Sequence, residues 1–118
     1  MLILVVDDEP DHRSLARRVM ERGGHTVMAA RDAAEALEVM AEHDVELVVT
    51  DLFMPGMDGL ELAEQVHAEH PDVVCIVWSS VLDSQGGKVL PKNVMMLDIN
   101  SWIRQNSPDG TGTGPDRP

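Results

Sequence analysis

The sequence has few of the features that mark secreted or membrane-spanning proteins. It contains a single cysteine, Cys75, so no disulfide can form within the chain, and this count fits a reducing, cytoplasmic setting. The longest apolar run falls far short of the roughly 20 residues that span a bilayer. Residues 1–6 are apolar and are followed by acid, without the basic flank or cleavage site of a signal peptide, so we expect no leader here.

Basic residues are also scarce. The chain has 9 Lys and Arg against 21 Asp and Glu, which gives a formal net charge of −12. Nucleic acids and anionic membrane surfaces attract basic proteins, so we expect no nucleic acid and no membrane among the direct partners. The 118 residues are enough for one domain, and we do not expect a second catalytic or DNA-binding domain among them.

Apolar runs alternate with helical patterns along the first two thirds of the chain. Runs at residues 2–6, 25–29, 46–50 and 73–78 predict four strands, and a helical pattern follows each of the first three. Apolar runs without polar alternation are typical of strands that are buried on both faces. Strand–helix–strand units with right-handed crossovers therefore predict a parallel sheet with helices on both faces.

The pattern weakens after the fourth strand. Residues 88–92 predict a short fifth strand, which Pro91 would restrict to a sheet edge, and residues 97–106 predict a last amphipathic helix. Residues 107–118 contain three glycines and three prolines, a composition typical of a disordered tail. We therefore expect one domain over residues 1–106 and a tail over residues 107–118.

Acidic residues follow two of the predicted strands. Asp7 and Asp8 end the first strand and Asp51 ends the third, and these strands are neighbours in a doubly wound sheet of order 2-1-3-4-5. Two carboxylates about 4 Å apart repel by about 4 kcal/mol at an effective dielectric constant near 20, so a cation is needed. Carboxylate oxygens suit Mg²⁺. The alternative is that Asp8 or Glu9 only caps a helix, but a cap needs one acid.

Two stretches of the sequence resemble the receiver domain of two-component response regulators. They are VVDDEP at residues 5–10 and VVTDLFMPGMDG at residues 48–59, and the resemblance covers residues 1–80 well. It implies a flavodoxin-like α/β fold, with a doubly wound parallel five-stranded sheet of order 2-1-3-4-5. The segment between the fourth and fifth strands is shorter than the family pattern.

The resemblance also implies a role for each acid. Asp51 would be the phosphoacceptor, whose carboxylate attacks the phosphohistidine of a histidine kinase or a histidine phosphotransfer protein. Asp8, Asp51 and the backbone carbonyl of Phe53 would bind Mg²⁺ directly, and Asp7 would act through a bound water.

Two further residues match the family's phosphate-binding groups. Ser79, at the end of the fourth strand, matches a Ser or Thr whose hydroxyl bonds a phosphoryl oxygen. The family also has a lysine after the fifth strand; Lys92 fits this position better than Lys88, and a solvated surface lysine is an alternative of similar weight. Ser79 and Lys92 are only thirteen residues apart, so the fourth helix of the family is expected to be missing or reduced to a turn.

Aromatic residues are few, which affects the expected switching mechanism and the expected lifetime of the phosphorylated chain. There is no tyrosine, and Val89 or Leu90 stands where the family has its switch aromatic residue. Phe53 and Val81 occupy the positions that flank the path of the hydrolytic water in receivers. Both side chains are apolar and can neither orient nor activate water, so slow self-dephosphorylation is expected.

The sequence thus predicts a phosphoacceptor receiver that signals to a further, unidentified protein by direct contact. It would catalyse only its own phosphorylation and slow dephosphorylation, and is otherwise not an enzyme. One alternative is a receiver-like binding module that has lost switching. Another is a phosphatase with an aspartate nucleophile, but such enzymes carry a second acid two residues later, where this chain has Phe53.

Overall fold

The computed structural model describes residues 1–79, 89–91 and 103. Strands and helices alternate along the chain, as the apolar runs predict, and the observed strand bounds lie within one residue of the expected ones. The strands are β1 (Leu2–Val6), β2 (Thr26–Ala30), β3 (Leu47–Asp51) and β4 (Val74–Ser79); the helices are α1 (Pro10–Arg22), α2 (Ala33–Glu42) and α3 (Gly59–Glu69).

The strands form a parallel sheet in which β1 lies between β2 and β3, and β4 lies on the far side of β3. A short segment, β5 (Val89–Pro91), pairs in parallel with the outer edge of β4. Val6 of β1 is the register partner of Thr50 in β3, so these two strands end side by side. Asp7, which follows β1, and Asp51, the last residue of β3, therefore lie at the same edge of the sheet.

Apolar side chains cover both faces of the sheet, which explains why the strand sequences do not alternate. The face under α1 holds Ile3, Val5, Val27, Leu47, Val49, Ile76 and Trp78, with Ala16 and Met20 of the helix and the helical residue Ile103. The opposite face holds Leu4, Val6, Ala30 and Val48 against Ala33, Ala36 and Met40 of α2 and Leu62 and Val66 of α3. The prediction of helices on both faces is confirmed.

The helices α2 and α3 both begin after an aspartate that has a glutamate three residues later, but their caps differ. Asp32 caps α2 by accepting the backbone N–H of Glu35 at 2.9 Å, but the Glu35 side chain accepts from Arg31, so the reciprocal half of a capping box is missing. The complete capping box lies at α3, where Asp58 and Glu61 bond each other's backbone N–H groups. This second box fixes the start of α3 beside the loop that follows β3.

The fully buried side of α1 is narrow. Ala16 and Met20 are fully buried, whereas Leu15 is 41% exposed. Within the ranges 1–79, 89–91 and 103, every helix is too short or too polar to cross a bilayer. Apart from Ile103, the predicted last helix at 97–106 lies outside the described residues, as does the predicted tail at 107–118.

Candidate functional site

Three carboxylates converge at the carboxyl edge of the sheet. The side chains of Asp7, Asp8 and Asp51 each offer an oxygen, and these oxygens all lie within 4.8 Å of one another. Asp7 is fully buried and Asp51 is 9% exposed, whereas Asp8 is exposed on the turn after β1. We call these three residues the acidic cluster, and the structure brings them together as the strand order predicts.

Hydrogen bonds hold the β1–α1 turn that carries two of the acids. The backbone N–H of Asp7 donates to the carbonyl of Ala30 at 3.1 Å, and its Oδ1 accepts the backbone N–H of Glu9 at 2.9 Å. The residue at the N-cap of α1 is Glu9, and its side chain makes no capping hydrogen bond. Helix capping therefore does not explain the acidic pair.

Arg13 is a part of this site that sequence reasoning missed. Its Nη1 donates to the backbone carbonyl of Asp7 at 2.7 Å, reaching back from α1 across the turn. Because the bond joins a side chain to a backbone atom, no motif spacing reveals it. The sequence offers one indication of this contact: Arg13 lies near the start of the helix that follows Asp7 and Asp8.

The loop after β3 fixes the backbone of Asp51 from several sides. The backbone N–H of Leu52 donates to the carbonyl of Trp78 at 2.8 Å, and that of Gly59 donates to the carbonyl of Leu52 at 2.8 Å. The Thr50 hydroxyl, which is buried, donates to the Asp51 carbonyl at 3.0 Å. A Cβ at position 59 would overlap the carbonyl oxygen of Asp51, so only glycine lets α3 approach this closely.

The side chains of Phe53, Met54 and Pro55, which we call the apolar rim, lie beside Asp8 of the acidic cluster. The Phe53 side chain is 65% exposed, and a cavity of about 360 Å³ is lined by Asp8, Phe53, Met54, Pro55 and Asp58. The cavity gives a small group access from solvent to Asp8 of the acidic cluster. Its lining contains acid and apolar side chains, so a cation would have to neutralise any anion that entered.

A larger cavity, of about 790 Å³, lies at the opposite end of the sheet between the last turns of α2 and α3. Its titratable lining residues are His43, Asp44, Glu46, Glu69, His70 and Asp72. Within the described part of the chain, only the acidic cluster brings three potential ligand atoms within 4.8 Å of one another. Size therefore does not identify the chemical site in this molecule, whereas the convergence of carboxylates does.

The donor set of the acidic cluster fits a hard divalent cation. Carboxylate oxygens are preferred ligands of Mg²⁺, and three of them within 4.8 Å repel one another strongly without a counter-charge. The backbone of Ser79 ends β4, next to the register pair of Asp51 and Trp78. Lys88, Lys92 and Val81 lie outside the described residues.

Comparisons with known proteins agree with this geometry. The "Sensory/regulatory protein RpfC" of Xanthomonas campestris pv. campestris is 32% identical over 99 residues, which cover 84% of this chain and 12% of RpfC. The "Response regulator MprA" of Mycobacterium sp. (strain KMS) is 33% identical over 129 aligned residues, which cover 98% of this chain and 55% of MprA. The chain thus spans about half the length of MprA and a small part of RpfC.

The fold has a solved counterpart as well. The crystal structure of TrrA from Thermotoga maritima, in complex with Mg²⁺-BeF, has a TM-score of 0.80 and 25% sequence identity, and the match covers 88% of this chain and 96% of TrrA. The predicted flavodoxin-like, parallel α/β architecture is confirmed. A family model for the response regulator receiver domain matches residues 3–100. The chain therefore belongs to the family of response regulator receiver domains.

Proposed function

We propose that Asp51 accepts a phosphoryl group from the phosphohistidine of a histidine kinase or a histidine phosphotransfer protein, in a reaction that requires Mg²⁺. The observation that carries the proposal is the convergence of the Asp51 carboxylate with those of Asp7 and Asp8 within 4.8 Å. Membership of the receiver family supports the same function.

Burial and hydrogen bonding favour Asp51 as the nucleophile among the three acids. Asp7 is fully buried, and its Oδ1 already accepts the Glu9 N–H, so it is poorly placed to meet a protein-bound donor. Asp8 is exposed on the turn, so its side chain keeps more conformational freedom than the side chain of Asp51, which is buried. Asp51 is 9% exposed, and hydrogen bonds hold the backbone at residues 51 and 52, which fixes the point from which the carboxylate projects.

In the transfer step, a carboxylate oxygen of Asp51 forms a bond to phosphorus while the bond from phosphorus to the donor's imidazole nitrogen breaks. The electron pair of that bond stays with the imidazole nitrogen. Mg²⁺, bound by Asp8, Asp51 and the Phe53 carbonyl with Asp7 acting through a water, would neutralise charge on the transferring oxygens. The crystal structure of TrrA in complex with Mg²⁺-BeF supports this metal.

Ser79 and Lys92 complete the proposed phosphate site. We propose that the Ser79 hydroxyl bonds a phosphoryl oxygen and that Lys92 neutralises part of its charge. The end of β4 beside β3 supports the position of Ser79. The proposal includes a five-stranded sheet of order 2-1-3-4-5, which the pairing of Val89–Pro91 with β4 supports.

We also propose that the phosphorylated chain acts by contact with a further protein, in the cytoplasm. The similarity to the sensory/regulatory protein RpfC and to the response regulator MprA supports a histidine kinase or phosphotransfer protein as donor. The only reactions that we expect the chain to catalyse are its own phosphorylation and a slow dephosphorylation.

Intact-mass measurement after treatment with acetyl phosphate and Mg²⁺ tests the proposal. The wild-type chain should gain one phosphoryl group, and Asp51→Asn should gain none. Asp72→Asn is the matched control, because it makes the same change at an exposed aspartate at the opposite end of the sheet. This control should be phosphorylated like the wild type.

Absence of an adduct on the wild-type chain would contradict the proposal and favour the binding module that does not switch. Continuous turnover of a phosphomonoester would contradict it in favour of a phosphatase. Modification of the Asp51→Asn variant would assign the acceptor role to another residue.

A further inference from the structure

We propose that Arg13 is a positioning residue for the metal site: it holds the β1–α1 turn so that Asp7 and Asp8 face Asp51. The inference rests on the proposed function, because it assigns to Arg13 a role in the Mg²⁺ dependence of that site. The observation that carries it is the bond of 2.7 Å from Arg13 Nη1 to the backbone carbonyl of Asp7.

The bond from Arg13 is one of three hydrogen bonds that hold Asp7 in place. The backbone N–H of Asp7 is tied to Ala30 in β2, its Oδ1 accepts the Glu9 N–H, and its carbonyl accepts the Arg13 guanidinium. Three of its polar groups thus have fixed partners on three different segments. A hydrogen bond from a charged donor is stronger than a neutral one, and this bond is partly buried. Rotation of the turn would break it.

The position of Arg13 in α1 distinguishes it from the other arginines of that helix. Arg17, one turn further along, pairs with Glu21 at 3.2 Å, and its side chain is 51% exposed. Arg18 and Arg22 are exposed as well. Among these four arginines of α1, Arg13 is the one with a hydrogen bond to the turn that carries the acids.

Positioning and simple electrostatics predict opposite effects on Mg²⁺ binding. A positive charge near three carboxylates repels a divalent cation, so loss of the charge alone would tighten binding. Loss of the hydrogen bond frees the turn, so the carboxylates must be ordered again when the metal binds, which weakens binding. We expect the second effect to dominate, because the guanidinium touches the backbone that carries Asp7 and Asp8.

The test compares Arg13→Met and Arg13→Lys with the wild type and with Arg17→Ala. Methionine keeps an apolar stem without charge or donor, whereas lysine keeps both. Arg17→Ala removes the same charge from the same helix without touching the turn. Calorimetry gives the Mg²⁺ dissociation constant, and amide hydrogen exchange in EDTA reports on the Glu9 N–H that bonds Asp7. Phosphorylation by acetyl phosphate over a Mg²⁺ titration separates the half-saturating concentration from the maximal rate.

We expect Arg13→Met to raise the Mg²⁺ dissociation constant roughly tenfold, the size typical of residues that orient metal ligands. Exchange of the Glu9 amide should accelerate, and the half-saturating Mg²⁺ concentration should rise, while the rate at saturating Mg²⁺ stays within about twofold. Arg13→Lys should regain most of the affinity, and Arg17→Ala should match the wild type.

Tighter Mg²⁺ binding in Arg13→Met would overturn the inference and leave an electrostatic role. Equal affinity in both Arg13 variants and the wild type would overturn it in favour of a purely structural role, even if thermal stability fell. These results leave the proposed function intact, because the wild type binds Mg²⁺ and is modified in both. A wild type that binds no Mg²⁺ would overturn the proposed function together with the inference.

Discussion

Replacing Asp51 by asparagine should make the metal-free protein more stable. The change removes one of three like charges whose oxygens lie within 4.8 Å of one another. At that distance each pair of charges repels by about 3.5 kcal/mol with an effective dielectric constant near 20. Solvent screens the pair with Asp8, which is exposed, more than the pair with Asp7, which is buried. We therefore expect a net gain of about 1–3 kcal/mol in the free energy of unfolding.

Urea unfolding in EDTA and in Mg²⁺ measures this gain. In EDTA the midpoint of Asp51→Asn should exceed that of the wild type; in Mg²⁺ the wild type should gain stability and the difference should shrink, because the ion binds the folded state. Glu64→Gln, on the exposed side of α3, removes one charge away from the cluster and should change stability by at most about 0.5 kcal/mol. A lower midpoint for Asp51→Asn in EDTA, or a gain equal to that of Glu64→Gln, would refute the reasoning.

Three further predictions follow from the same structure. Gly59→Ala should lower the free energy of unfolding by about 1–3 kcal/mol, because its Cβ overlaps the Asp51 carbonyl; an unchanged denaturation midpoint would contradict this. Burial raises the pKa of the Cys75 thiol from 9.0 to about 12. The unfolded thiol therefore ionises first, so the contribution of Cys75 to stability should be constant below pH 9 and fall between pH 9 and 12, and Cys75→Ala should lack that part of the fall. Phe53→Asn should shorten the lifetime of the phosphorylated chain in a mass time course, since asparagine can orient water; an equal lifetime in both would count against the apolar-rim explanation.

Much of the fold is encoded in local patterns. Residues 2–6 and 47–49 are apolar without alternation, which identifies strands buried on both faces and hence a parallel sheet. The convergence of Asp51 with Asp7 and Asp8 follows from strand order alone, because parallel strands end at one edge. These features are predictable because they depend on the distribution of apolar residues and on the order of the strands. Neither changes when the predicted end of a strand is wrong by one residue.

Features that depend on side-chain reach are not predictable in this way. The helical period of α1 identifies a helix but does not show that Leu15 lies at the edge of the buried face, 41% exposed. Asp32 and Asp58 both have a glutamate three residues later, yet only Asp58 forms the complete capping box. The bond from Arg13 to the Asp7 carbonyl depends on the path of the turn, which the spacing does not encode.

We propose that one carboxylate among the 21 acidic side chains, that of Asp51, is the nucleophile. Reductive trapping of the acyl phosphate with borohydride, followed by peptide mapping, tests this claim directly. We predict a single modified residue, Asp51, whose labelling is lost when EDTA replaces Mg²⁺. Labelling of Asp7, Asp8 or any other acid in its place, or equal labelling with and without Mg²⁺, would contradict the claim.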